Sequence, residues 1–394
     1  MNIPIAKTVF SDEEYAAVLE PLKSGWVVQG PKVKEFETQW SEFTGAKHSI
    51  AVTSCTTALH LSLAGLGIGP EDEVIIPAFT WIATANVVEQ LGARVVFCDI
   101  DLQTFNLDTT QLENLITKKT KAIIPVHLFG LAADMKVVME LAKKYELAVV
   151  EDAACGFGAK YDHAHVGTIG DTGCFSFHPR KAITTGEGGM VTTNDDALAV
   201  KLRTLRDHGA AMSDLQRHLG AKPYLLPEFP YAGYNYRMTD IQAAIGIPQM
   251  KRADQILASR RRIATKYDEL VAEIPWLQAP ARPVKTEHAF QAYVCLFMAD
   301  DLNLKTIDSI NTERNSFMEY LQKLSISTRP GTHAVHNLRY YKEKYCIETA
   351  DYPNAWMADQ CTIALPLFPS LVDDEFEYIT DALKNYHPGK IEQD

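Results

Sequence analysis

Seven short runs of apolar, β-rich residues punctuate the first half of the chain, at 49–53 (SIAVT), 73–77 (EVIIP), 94–100 (RVVFCDI), 121–127 (KAIIPVH), 147–152 (LAVVED), 173–177 (GCFSF) and 189–194 (GMVTTN). Between the first five lie helical patterns, at 57–66, 81–91, 110–116 and 134–145. Nearly continuous apolar strands alternating with helices predict a mostly parallel sheet covered on both faces, an α/β fold. Ahead of them, Ser11 followed by Glu14 fits a capping box that opens a first helix, with Gly25 near its stop. Residues 32–44 read as a second helix. After Asp240 a long helical stretch leaves the layer, and Pro248 is expected to kink or divide it. A Pro-rich segment at 275–285 leads into an α+β region with helices near 305–324 and 372–385. The expected organisation is a large α/β domain over 1–250, then a long connecting helix and a small C-terminal α+β domain over 251–394.

Composition narrows the class. The chain has 394 residues, 46% of them hydrophobic and 22% charged, which is enough to build a sizeable core without staples. Its formal charge of −12 argues against a general nucleic-acid binder, which needs a basic face. A phosphorylated small molecule remains compatible, because a few local donors can hold one. The seven cysteines are dispersed with no C-x-x-C pair, so reduced thiols are expected, with neither a disulfide framework nor a metal site. The opening MNIPIAKTVFSDEEY lacks the pattern of a signal peptide, and no apolar stretch approaches the roughly 18 to 20 residues of a membrane span. A cytoplasmic location, away from membranes, is expected.

Three stretches carry candidate chemistry. In FSFHPRKAITTGEGGM (175–190), Lys181 precedes Gly186, Gly188 and Gly189, where a tight turn would let backbone approach a ligand. A lysine whose pKa is lowered by burial or nearby cations can condense with an aldehyde; a surface lysine beside a hairpin turn accounts for the same residues. In VVEDAACGFGA (149–159), Asp152 ends a buried strand at its carboxyl end, where open α/β sheets place ligands. A carboxylate there suits a protonated pyridine nitrogen, and it equally suits a helix N-cap. In AVTSCTTALHLSL (51–63), Thr56 and Thr57 fall at a helix N-terminus whose free amides suit a phosphate, or simply cap it. Trp81, after PAFT, is placed to stack on a ring or to fill a core. Together, a phosphate cradle, a ring stacker, an acidic strand end and a lysine beside glycines form a set suited to pyridoxal 5′-phosphate (PLP).

These segments resemble the DegT-type sugar aminotransferases, PLP enzymes of the aspartate aminotransferase fold (fold type I). The similarity runs through GWVVQGPKVKEFE, TSCTTALHLSL, PAFTWIATAN, IIPVHLFG, VVEDAA, FSFHPRKAITTGEGGMVTTND, GYNYRMTDIQAAIG and ALPLFPSL. The resemblance implies that Lys181 forms the Schiff base and shuttles protons, that Asp152 binds the pyridine nitrogen, and that Trp81 stacks on the ring. It places the phosphate between Thr56–Thr57 and Ser176, with Asn235 reaching the cofactor of a second subunit, so a homodimer with shared sites is implied. Cys155 stands where the family often has a glutamine that contacts the ring or its hydroxyl; a thiol is a weaker hydrogen-bond partner. His336, Arg237, Arg329, Trp26 and Gln29 are candidate substrate contacts.

The function implied is transfer of an amino group from L-glutamate to a nucleotide-linked keto-6-deoxy sugar, for surface polysaccharide or glycan biosynthesis. The sequence FHPRKAITTGEGG is more similar to members acting on 4-keto sugars than to the 3-keto group, whose lysine is typically followed by NLG. A related group of sugar dehydratases replaces the lysine with histidine, and this chain keeps Lys181. A PLP-dependent dehydratase or lyase, or a non-catalytic regulator of the same fold, are the alternatives.

Overall fold

The computed structural model describes residues 1–212, 224 and 226–389. Seven strands form the main sheet: β1 (His48–Val52), β2 (Glu73–Pro77), β3 (Arg94–Cys98), β4 (Thr120–Ile123), β5 (Ala148–Asp152), β6 (Thr172–Ser176) and β7 (Gly189–Thr193), in spatial order β1-β7-β6-β5-β4-β2-β3. Every pairing from β6 to β3 is parallel; β7 alone runs against its neighbours. Alternation of side chains explains why the strands read as continuously apolar. Ile50, Val52, Cys174 and Val191 enter one core, while Ala51, Phe175 and Met190 enter another with Phe36 and Trp40.

The helices that matter for the site are α1 (Asp12–Ser24), α2 (Pro31–Thr44), α3 (Cys55–Leu66), α4 (Ala83–Gln90), α5 (Met135–Tyr145), α6 (Asp196–Arg206), α7 (Asp240–Lys251) and α8 (Ala253–Val271). The capping box of α1 forms as expected: Ser11 Oγ accepts from Glu13 N at 3.3 Å, Glu14 accepts from Ser11 N, and Gly25 closes the helix at φ +77°. Several boundaries moved. The run 121–127 leaves the ladder after Ile123, ahead of Pro125, which has no N–H to donate. The pattern at 110–116 becomes one α-helical turn (Thr109–Leu112) and a 3-10 turn (Glu113–Leu115). Pro248 does not divide the long helix. It is tolerated inside α7, and the break falls at Arg252 (φ −104°, ψ 9°).

The C-terminal region adds an antiparallel sheet, β8 (Leu277–Gln278), β9 (Tyr293–Phe297) and β10 (Thr362–Leu365), in the order β8-β9-β10. Helices α9 (Ile307–Lys323), α10 (Pro353–Cys361) and α11 (Asp373–Lys384) accompany it. Contacts at two of the strand ends help to join this region to the main sheet. Asp99, just after β3, accepts the amides of Asn354 (3.1 Å) and Ala355 (2.8 Å) at the start of α10. Phe79–Thr80, just after β2, pairs with His333–Ala334.

The open edge of β1 is closed by side chains. Glu37 of α2 accepts from Ala51 N at 2.9 Å, while Arg206 of α6 donates to Ala51 O at 2.8 Å and to Glu37 at 2.6 Å. Arg203 donates to Ser49 O at 3.1 Å. This covers backbone groups that would otherwise template another strand. Arg206 is buried and Glu37 nearly so. Arg206→Met should therefore strand a carboxylate and destabilise the protein by about 3 kcal/mol or more. Urea denaturation followed by circular dichroism checks this; an unchanged midpoint would show that the pair carries no net stability.

Candidate active site

Strand polarity gathers the candidate residues. Asp152 ends β5 beside Cys174 of its parallel neighbour β6, which ends two residues later at Ser176. Because β7 returns antiparallel, Gly189 lies opposite Ser176 and also opposite Val52, the end of β1. The same edge thus holds Asp152, Ser176, the β6–β7 connection with Lys181, and the entry to α3.

Asp152 is buried. Its Oδ2 accepts from Thr84 Oγ1 at 2.7 Å and its Oδ1 from Ala154 N at 3.2 Å. Burial pushes its pKa above the ordinary carboxylate value, and these two donors and Lys181 only partly offset that. The backbone is fixed by Asp152 N donating to Pro125 O (2.9 Å) and by His127 N donating to Asp152 O (3.0 Å).

Lys181 follows a turn closed by its own N–H to His178 O at 2.8 Å. Its half-buried side chain brings Nζ to 3.1 Å from Cys155 Sγ. Burial opposes the ammonium, yet Cys155, Cys55 and Asp152 together hold its pKa above the ordinary lysine value. This corrects the expectation of a lowered pKa: the surrounding acidic groups outweigh desolvation.

At the start of α3, Ser54 is the N-cap and accepts from Thr57 N at 3.1 Å. The Thr57 hydroxyl is consumed by the cap, donating to Ser54 O at 2.8 Å and accepting from Ser54 N at 3.0 Å. Thr57 therefore serves the helix, leaving the first-turn amides of Cys55 and Thr56 and the Thr56 hydroxyl as donors toward an anion. The glycine expectation also changes. A Cβ on Gly189 would lie 2.4 Å from the Ser54 carbonyl carbon, so the close approach made there is to α3.

Ser176 Oγ accepts from His178 N at 3.4 Å and keeps its own proton to donate. Trp81 is 61% exposed, with its ring 5.6 Å from that of His333. Asn235 is exposed on a strip bridged to Asp207, and Arg237 of the same strip is ion-paired with Asp207. Trp26 donates from Nε1 to Gln29 O at 3.3 Å, and this segment is tied to α7 by Asp240, which accepts from Gly30 N at 2.7 Å and Val33 N at 3.0 Å. Arg329 is exposed and bonded across backbone to Ala364. His336 is fully buried against Tyr352 (ring centroids 4.8 Å) and Phe97 (6.4 Å), with Nε2 3.4 Å from Thr349 O. Burial lowers its pKa. It is an interior residue whose segment is tied to the end of β2 by Val335 N donating to Ala78 O at 2.8 Å.

Sequence reasoning missed three groups. Thr84 sits three residues past Trp81, about one helical turn, and a Trp-x-x-Thr spacing after a strand was its only trace. His333, three residues before His336, is the histidine that lies beside Trp81. The buried pair His127 and Glu151 adjoins Asp152, Nε2 to Oε2 at 2.9 Å, with His127 N also donating to Asp152 O. Because His127 Nδ1 accepts from Ala133 N at 3.1 Å, the ring proton is assigned to Nε2.

The residues fit PLP. Asp152 has two donors and spare lone pairs in a site where its anion is disfavoured, and a protonated ring nitrogen satisfies both conditions. Uncapped α3 amides with the Thr56 and Ser176 hydroxyls suit a phosphate dianion. Lys181 supplies the primary amine. Among the described residues, no cluster of three or more His, Cys, Asp or Glu is arranged to hold a metal ion.

Comparison with known proteins finds similarity along nearly the whole chain. The model of the DegT/DnrJ/EryC1/StrS aminotransferase family matches residues 9–384. The chain is 39% identical over 384 residues to GDP-perosamine synthase of Caulobacter vibrioides, covering 97% of each. It is 37% identical over 387 residues to the spore coat polysaccharide biosynthesis protein SpsC of Bacillus subtilis, covering 98% of this chain and 97% of that one. Among solved structures, the putative sugar aminotransferase Spr1654 of Streptococcus pneumoniae in its PMP form superposes with a TM-score of 0.89 at 30% identity, covering 97% of this chain and 98% of that one.

The charge coupling yields a pH prediction for the cofactor-free protein. An amine-reactive reagent should label Lys181 with a midpoint above that of ordinary lysines. Asp152→Asn removes an anion that favours the ammonium, so the midpoint should shift to lower pH. Peptide mass spectrometry across a pH series reads both; a midpoint indifferent to Asp152→Asn would show that the two charges do not couple.

Proposed function

The chain belongs to the DegT/DnrJ/EryC1/StrS aminotransferase family, and on that premise we propose that it moves the amino group of L-glutamate onto a nucleotide-linked keto-6-deoxy sugar, a 4-keto sugar before a 3-keto one. The observation that carries this reading is the convergence of the Lys181 amine, the buried Asp152 carboxylate and the free Cys55 and Thr56 amides at the start of α3 at one strand edge. PLP is the cofactor; when bound it supplies an aldehyde that captures amines and a ring that accepts an electron pair.

The chain's own groups do the rest. Lys181 Nζ is the attachment point and, once free, takes the α-proton of the amino donor in one half of the exchange and supplies a proton to the acceptor carbon in the other. Asp152, positioned by Thr84 and Ala154, holds a proton on the ring nitrogen. The Cys55 and Thr56 amides, the Thr56 hydroxyl and Ser176 bind phosphate, and Thr57 keeps the α3 cap in shape. Trp81 covers the ring face. Cys155 meets the cofactor beside Lys181. Around this centre, Trp26, Gln29, Arg237 and Arg329 contribute to holding the nucleotide sugar, and buried His336 shapes the wall behind them.

Exposed Asn235 supports a homodimer in which it reaches the phosphate of the neighbouring site. Seven free thiols support a reducing, cytoplasmic setting, and no helix among the described residues is long and apolar enough to cross a membrane. A role in polysaccharide biosynthesis follows the similarity to SpsC and GDP-perosamine synthase.

Borohydride reduction of the PLP-loaded protein should tag Lys181, and Lys181→Ala should abolish both the tag and turnover. Glutamate should release 2-oxoglutarate in a half-reaction, and a panel of nucleotide 4-keto and 3-keto sugars scored by product mass then identifies the acceptor. A tag at another lysine, or no half-reaction with any amino donor, would overturn the proposal.

A further inference from the structure

Cys155 leaves β5 three residues after Asp152, and its sulfur stands 3.1 Å from Lys181 Nζ. Among the described residues it is the thiol given a primary amine as a hydrogen-bond partner. The other cysteines differ. Cys98, Cys174, Cys295 and Cys361 are buried, Cys346 is exposed on the C-terminal region, and Cys55 is partly buried at the start of α3. Cys155 is itself only partly buried, so small solutes can reach it. Its backbone is held: a Cβ on Gly130 would lie 3.2 Å from Cys155 O, which marks a close packing of the two segments.

We propose that Cys155 and Lys181 form a reversible, peroxide-driven Sγ–Nζ bond that disables the enzyme while the lysine is free of the cofactor. The inference rests on the reading of Lys181 as the cofactor's attachment point. In the first step the Cys155 thiol is oxidised by hydrogen peroxide to the sulfenic acid, sulfur losing two electrons and the O–O bond breaking to give water. The Lys181 ammonium gives up a proton to water, and the neutral amine then attacks sulfur. The S–N bond forms, the S–O bond breaks, and the hydroxyl leaves with one amine proton as a second water. Sulfenic acids condense in this way even with backbone nitrogen, a poorer nucleophile than an amine. The product chain is lighter by two hydrogen atoms. A thiol reductant cleaves the S–N bond by attack at sulfur, and a second equivalent restores Cys155.

The chemistry makes the lock depend on the state of the enzyme. While Lys181 is bonded to the cofactor its nitrogen is occupied and cannot attack. After the amino donor has reacted, the amino group stays with the cofactor and Lys181 is released within reach of Cys155. The cross-link therefore forms in enzyme that has consumed its donor and waits for a keto sugar.

The test exposes holoenzyme to hydrogen peroxide with and without prior incubation with L-glutamate, followed by peptide mapping and assay before and after dithiothreitol. The expected result is a Cys155–Lys181 cross-linked peptide pair, lighter by two hydrogens, formed in the glutamate-treated sample and tracking a loss of activity that dithiothreitol reverses. Cys155→Ala should abolish the cross-link and the reversible component of the loss, measured relative to that variant's own starting activity. Cys346→Ser should leave both in place. Recovery of Cys155 as sulfinic acid with Lys181 unmodified would overturn the inference, as would equal cross-linking with and without glutamate. Cofactor-free protein, in which the amine is free whatever it normally binds, must cross-link on mass alone; its failure refutes the pair without touching the borohydride result, and a missing borohydride tag refutes the functional reading without touching the pair.

Discussion

Two carboxylates stand side by side at the end of β5, and the pleat sends them to different surroundings. Glu151 is fully buried and saturated: it accepts from Gly167 N, Ile169 N and Gly170 N, each at 2.7 Å, and from His127 Nε2 at 2.9 Å. Burial alone would raise its pKa, but His127 and these amides bring it below the usual value. Asp152 receives two donors and sits above the usual value. The first is a finished structural anion that ties the approach to β6 to the end of β5. The second is left in want of a cation. The chemistry of the site depends on that difference.

What Asp152 lacks, the strand edge assembles from distant pieces of chain. Thr84 arrives on α4, Lys181 on the β6–β7 connection, and the α3 amides from the end of β1. Glycine at 189 lets β7 press against Ser54, which fixes the α3 entry at the same edge. The C-terminal region is joined to the ends of β2 and β3 by the pairing of Phe79–Thr80 with His333–Ala334 and the Asp99 clasp on α10. Each joint uses hydrogen bonds that would be unsatisfied if the region moved away.

The helix start at Ser54 shows how one local motif divides its labour. A capping box needs the Thr57 side chain, so that residue has no hydroxyl proton left for a ligand. Its neighbour Thr56 faces no such demand. The two threonines are equivalent on paper, and the turn geometry separates them.

Period and punctuation in the sequence determined a great deal: all seven sheet strands, most of the helices between them and the α1 capping box, and they marked Lys181 and Asp152 as candidates. These follow from local rules, because burial on both faces writes itself as continuous apolar runs and a strand terminus as a charge after them. Only the tertiary structure decided the rest. It spent the Thr57 hydroxyl on the α3 cap, consigned His336 to the interior while setting His333 beside Trp81, moved the helix break from Pro248 to Arg252, and raised the Lys181 pKa where burial alone predicts a fall. It also put Cys155 against Lys181, residues 26 positions apart whose meeting depends on β5 and β6 lying parallel. Protonation and contact are set by everything within a few ångströms of a group, and that neighbourhood exists only once the strands are paired.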